Sequence, residues 1–106
     1  MKIWRLIFGK NESEMNVDEF GALVSPQPDF SPELKALWYD GKGDWEAAHD
    51  QVDHLLGKTA ARVHAYLHRK EGDLWNADYW YAKAGEKRPS MSLDDEWKDL
   101  VGRFLH

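Results

Sequence analysis

The sequence predicts an all-α domain: two helix-turn-helix hairpins, a C-terminal capping helix and an N-terminal arm. Three observations carry that prediction. Helix-start residues recur at Asn16, Ser31, Asp44, Thr59, Asp73 and Ser92, and apolar residues follow them at three- and four-residue spacing. Glycines at 41, 43, 57, 72 and 85 close the segments so opened. No segment alternates convincingly at period two, the pattern a half-buried strand requires.

A chain of 106 residues supports one modest core and not two, so 1–106 reads as a single domain. Its parts are an arm and connector over 1–30, a first hairpin over 31–57, a second over 58–85 and the capping helix over 90–106. Hydrophobic content of 42%, with 13% aromatic residues, is too rich for a disordered chain. A net charge of −5 and the lack of any Lys/Arg run argue against nucleic acid as a partner. The absence of cysteine excludes disulfides, thiol nucleophiles and zinc–thiolate sites. No apolar run approaches the roughly 18 to 20 residues that span a bilayer. The apolar start, Met1 to Phe8, is cut off at Gly9-Lys10-Asn11-Glu12, too early for the core of a signal peptide. The expected location is cytoplasmic, with no membrane span.

Taken in order, Met1 to Phe8 is read as an arm packed on the body, or as an anchor for a membrane surface or partner. Asn16 with Glu19 makes a capping box for a short helix over Val17 to Val24. Pro26 and Pro28 then keep the connector extended. Ser31-Pro32-Glu33 is a helix start: a hydroxyl cap, proline at the first helical position, and an acid at the positive helix end. Leu34, Leu37, Trp38 and Gly41 share one face of that helix, which Gly41 and Gly43 stop. Asp44 caps the next, whose apolar face is Trp45, Ala48, Val52, Leu55 and Leu56, with Gly57 at its end. Thr59 is read as the cap of Ala60 to Glu71, and Asp73 as the cap of Leu74 to Ala84. Ser92 with Asp95 opens a last helix, Leu93 to Leu105, with Leu93, Trp97, Leu100, Val101 and Phe104 on one face. Asp94 with Lys98 and Asp99 with Arg103 are favourable pairs on its outer side.

The hairpins resemble each other. Gly43-Asp44 and Gly72-Asp73 stand 29 residues apart, with Ala36 and Ala65 seven before each glycine, and Ala48 and Ala77 five after. These offsets resemble the tetratricopeptide repeat, and Asp78-Tyr79-Trp80-Tyr81-Ala82-Lys83-Ala84-Gly85 resembles the second helix of its Sel1-like relative. The resemblance covers Pro32 to Gly85. The period departs from the family's unit of about 34 residues, and the large residue late in the first helix is Tyr39 in one copy but His68 in the other. The string from His64 to Gly85 is also similar to an uncharacterised family of small microbial proteins. The tetratricopeptide resemblance implies binding of a protein or peptide segment in a groove, without catalysis or cofactor.

Two constellations bear on chemistry. His64, His68 and Glu71 fall at i, i+4 and i+7 on one helical face, and His49, beside the apolar face of Trp45 and Val52, is placed to neighbour them. The expected role is structural, with the imidazoles bonded to Tyr79, Asp78 or a backbone carbonyl. The alternatives are a metal site, with imidazole ligands and Glu71 as ligand or base, and general acid-base catalysis. The second constellation is aromatic. Trp75 and Tyr79 lie off the main apolar stripe of their helix, and Tyr66 and Arg69, with Arg62, fall on the wetter side of theirs. Tyr66, Arg69, Trp75 and Tyr79 are therefore the expected partner-binding residues, while Trp38, Trp45 and Trp97 are expected in the core.

Overall fold

The computed structural model describes residues 11–106, all of whose regular elements are helical; the arm expected over Met1 to Phe8 lies outside the described residues. A single 3-10 turn at Glu12–Glu14 precedes α1 (Val17–Ala22), α2 (Pro32–Gly41), α3 (Trp45–Val52), α4 (Lys58–Glu71), α5 (Leu74–Lys83) and α6 (Leu93–Leu105). Among the described residues no helix is long and apolar enough to cross a membrane.

The starts of these helices are fixed by side chains that accept otherwise unpaired amides. Asn16 and Glu19 form the reciprocal box at α1. Ser31 accepts from Leu34 N–H, Asp44 from Ala47, Asp73 from Asn76 and Ser92 from Asp95. The start of α4 differs from expectation. Gly57 precedes it with no side-chain cap, and Thr59 Oγ1 instead donates to Glu33 Oε2 at 2.7 Å, tying α4 to α2. α3 also stops early, at Val52: Leu55 tucks against the core, but Leu56 is 98% exposed and belongs to no apolar face.

α2 pairs with α3 and α4 with α5, and α4 lies centrally, touching α2, α3 and α6 as well. Small residues at the pair contacts, Ala36, Ala48, Ala65 and Ala77, are all fully buried. α6 packs on α1, α2 and α4. It therefore covers the first helix of each pair, and that placement overturns one expectation. The side of α4 read as wet is buried beneath α6, with Arg62 and Tyr66 4% and 2% exposed.

The three core tryptophans stitch separate segments through their indole N–H groups. Trp38 donates to Leu23 O at 3.1 Å, Trp45 to Leu67 O at 2.7 Å and Trp97 to Leu37 O at 2.9 Å. Each ring thus buries apolar area while its single donor is satisfied. Gly41 has a role different from the expected helix stop. It is the last residue of α2, and a Cβ there would stand 2.9 Å from Cζ2 of Trp97. The left-handed turn falls on Gly43, with φ of 85°, where a side chain would be strained.

α6 is held chemically by Glu96, which is wholly buried. Arg62 Nη1 donates to its Oε2 at 2.7 Å, Arg69 Nη1 to its Oε1 at 2.6 Å, and Tyr81 Oη to Oε2 at 2.6 Å. Arg62 also contacts Glu86 through Nε at 3.0 Å, and Glu86 in turn takes Arg103 at 2.9 Å. Burial and the bond to Glu96 push the Tyr81 hydroxyl above its usual pKa. A second buried carboxylate, Asp40, accepts from Tyr66 Oη at 2.6 Å and Lys70 Nζ at 2.8 Å.

Two outcomes follow. Glu96→Ala leaves two guanidinium groups without their buried counter-charge, so it should cost about 3–5 kcal/mol in a denaturant titration, well above a surface substitution. Gly41→Ala gains helix propensity but drives a methyl into Trp97, so it should destabilise by about 1–3 kcal/mol. A neutral or stabilising result in thermal melting would refute that packing.

Candidate functional site

α3, α4 and α5 meet around a set of imidazoles. On α4, His64 and His68 stand one turn apart and are 5% and 7% exposed. His49 comes from the facing side of α3, four residues after Trp45. One ring nitrogen of each lies within 4.8 Å of the others. His49 Nε2 and His64 Nε2 are 3.0 Å apart, and the three ring centroids are separated by 4.7, 4.8 and 5.2 Å.

Tryptophans fix the ring planes. Trp45 stacks on His49 at 4.8 Å and 11°, and its own N–H anchors it to α4 through Leu67 O. Trp80 of α5 stacks on His64 at 4.1 Å and 22°.

Carboxylates stand behind two of the rings. Glu71 Oε1 accepts from His68 Nδ1 at 2.7 Å, which places the proton on Nδ1 and leaves Nε2 as the acceptor nitrogen. Nδ2 of Asn76 lies 3.4 Å from that Nε2. Asp53 Oδ2 lies 3.7 Å from His49 Nδ1. Neither side chain expected from the sequence takes an imidazole: Asp78 pairs with Arg88, and Tyr79 faces Lys83. The rings face one another instead. Asp53, Asn76 and Trp80 were not among the residues read as functional. Asp53 stands at i+4 from His49, which is the signal that could have found it.

Burial, then the charges of His68 and His49, lower the His64 pKa from 6.5 to about 4, against an upward pull from Asp53. At neutral pH His64 is therefore an uncharged donor or acceptor. The arrangement can hold a cation that takes imidazole nitrogen, and the His68–Glu71 pair can accept or relay a proton.

The four residues expected to bind a partner fall in different places. Tyr66 is buried and bonded to Asp40, and Arg69 is spent on Glu96 and on Met91 O at 2.6 Å. Neither forms an open surface, because α6 lies over them. Trp75 and Tyr79 lie on the other side of the molecule, 82% and 47% exposed. Beside them an open groove of about 450 Å³ runs between the α3–α4 turn and α5, lined by Asp53, Leu55, Leu56, Lys58, Tyr79 and Trp80. Asp53 and Trp80 connect this groove to the imidazoles.

His64 gives a pH dependence of stability with a definite sign. Its folded pKa is depressed, so between pH 6.5 and about 4 the unfolded chain binds the extra proton. Stability should then be intact above pH 6.5 and fall as the pH drops toward 4. Urea melts across this range should show a shallower decline for His64→Gln than for the parent. Equal slopes would show that His64 takes its proton without cost in the fold.

Compared with family models, curated proteins and solved structures, the chain matches none, so the functional reading rests on this geometry.

Proposed function

We propose that the chain is a non-enzymatic helical-hairpin module that binds a protein or peptide segment through the flank of α5. The observation that carries this reading is the exposure of Trp75. An indole 82% open to water on a capped helix adds nothing to the core, and Tyr79, one turn on, shares its side of the helix. Leu74, beside Trp75, is 41% exposed, and Leu56, 98% exposed, lines the groove with Tyr79. Aromatic clusters of this kind supply most of the energy in protein–protein contacts. The chain's own α6 packs over the other side of the hairpins, where Tyr66 and Arg69 are held, so this reading uses the exposed aromatics of the α5 flank.

A second reading is favoured by the convergence of the imidazoles. His49, His64 and His68, with Glu71, would serve a small metal-dependent or acid-base enzyme.

The docking surface is tested by truncation. Trp75→Ala and Tyr79→Ala should each leave stability within about 1 kcal/mol of the parent, whereas Trp38→Ala should cost about 3–5 kcal/mol. The same two variants should lose the proteins that the immobilised parent retains from its source lysate, by 2 kcal/mol or more in binding. An unchanged set of retained proteins would move the binding surface elsewhere. Unfolding of both variants would make this face part of the core.

A further inference from the structure

We propose that His49, His64 and His68 form a binding site for a zinc-class divalent cation, buried between α3 and α4 beneath Trp80. The inference is independent of the docking surface on α5.

The donor set defines the class of ion. Three imidazoles suit zinc and the neighbouring late transition ions, whereas magnesium and calcium need oxygen ligands that these rings do not offer. Three protein nitrogens leave one position of a tetrahedral ion for a water or a ligand atom.

The geometry is close to what such an ion requires. Nitrogens at about 2.0–2.1 Å from a tetrahedral zinc stand about 3.3 Å apart. His49 and His64 already present Nε2 atoms 3.0 Å apart, and all three residues offer nitrogens within 4.8 Å. His68 completes the set with Nε2 held by nothing stronger than a 3.4 Å contact with Asn76 Nδ2.

The outer nitrogen of His68 is arranged as ligating histidines arrange theirs. Metal-bound imidazoles almost always donate their other N–H to a carboxylate or carbonyl, which fixes the tautomer and raises ligand basicity. Glu71 does this for His68, at 2.7 Å, while Asp53 Oδ2 lies 3.7 Å from His49 Nδ1, near it but beyond hydrogen-bond distance, with its Oδ1 on His54. The two stacked indoles hold the rings of His49 and His64 in plane, so little ordering is left to accompany binding. Two Nε2 atoms directed at each other share one proton, and a cation between them would take the lone pair of each in its place.

Access is from the α3 side, where His49 is 23% exposed while the His68 side chain is only 9% exposed. The α3–α5 groove reaches the same place through Asp53 and Trp80.

The test uses the full-length, untagged chain, freed of metal by a chelator and exchanged into clean buffer. Zinc chloride is titrated in by calorimetry, with melting temperature followed in parallel. Cobalt(II) then reports geometry through its visible absorption. The expected result is saturable uptake of one zinc per chain, a rise in melting temperature, and the intense visible bands of tetrahedral cobalt; magnesium chloride should do none of this. His49→Gln, His64→Gln and His68→Gln should each abolish stoichiometric uptake. Glu71→Gln should weaken it about 10- to 100-fold, while His54→Gln and Trp75→Ala should leave it unchanged.

His64 and His68 are buried, so those variants are checked for folding by circular dichroism. If they unfold, His49→Gln decides the matter, because its side chain is partly open to solvent. No saturable zinc uptake by the parent, or uptake unaltered in folded His49→Gln, overturns the site. Since Trp75→Ala reports on the docking surface alone, failure of one proposal is separable from failure of the other.

Discussion

The carboxylate of Glu96 is the contact on which the arrangement of the two hairpins depends. It is fully buried on α6, yet its partners come from α4 and α5, so one side chain fixes three helices. A charge in that position is tolerable only because two guanidiniums and a phenol surround it. Arg62 is itself nearly buried, and stacks over the Tyr81 ring at 4.8 Å while reaching Glu86. Glu96 is the shared member of the group: taking it out removes the buried counter-charge of both guanidiniums at once. Hydrophobic packing supplies most of the stabilisation, but it would allow α6 to slide or rotate. The ion pairs remove that freedom, because charge-assisted hydrogen bonds are directional where apolar contact is not.

The tryptophans divide the remaining work. Trp38, Trp45 and Trp97 each join two segments through a hydrogen bond to a backbone carbonyl. Trp45 and Trp80 serve the imidazoles, and Trp75 serves neither purpose. α6 packs over one side of the hairpins, and away from it α3 and α5 flank the histidines.

Much of the fold was legible in the sequence because it is encoded locally. Caps at Asn16, Ser31, Asp44, Asp73 and Ser92 depend only on the next three residues, and all of them formed. The spacing of His64 and His68 placed them on one face, and their meeting with His49 followed from helix pairing. What could not be read was which helix would lie on which face. Periodicity marks Tyr66 and Arg69 as off the apolar stripe, and it carries no information that α6 arrives there with a carboxylate. The hint was Glu96 itself, which stands within the apolar stripe of its helix, three residues after Leu93 and four before Leu100. Thr59 shows the same limit: its hydroxyl was suited to a cap, but a distant Glu33 competed for it.

The position of Glu96 along the chain has a consequence for biosynthesis. Arg62 must wait for a partner 34 residues downstream. At about 5–20 residues per second, roughly 2–7 s separate the appearance of the two at the ribosome. Until α6 emerges, the hairpins expose Arg62, Arg69 and Tyr66 together with the apolar surface later covered by Trp97. The hairpins therefore precede their covering helix in synthesis, and the buried ion pairs close only when Glu96 of α6 has been made.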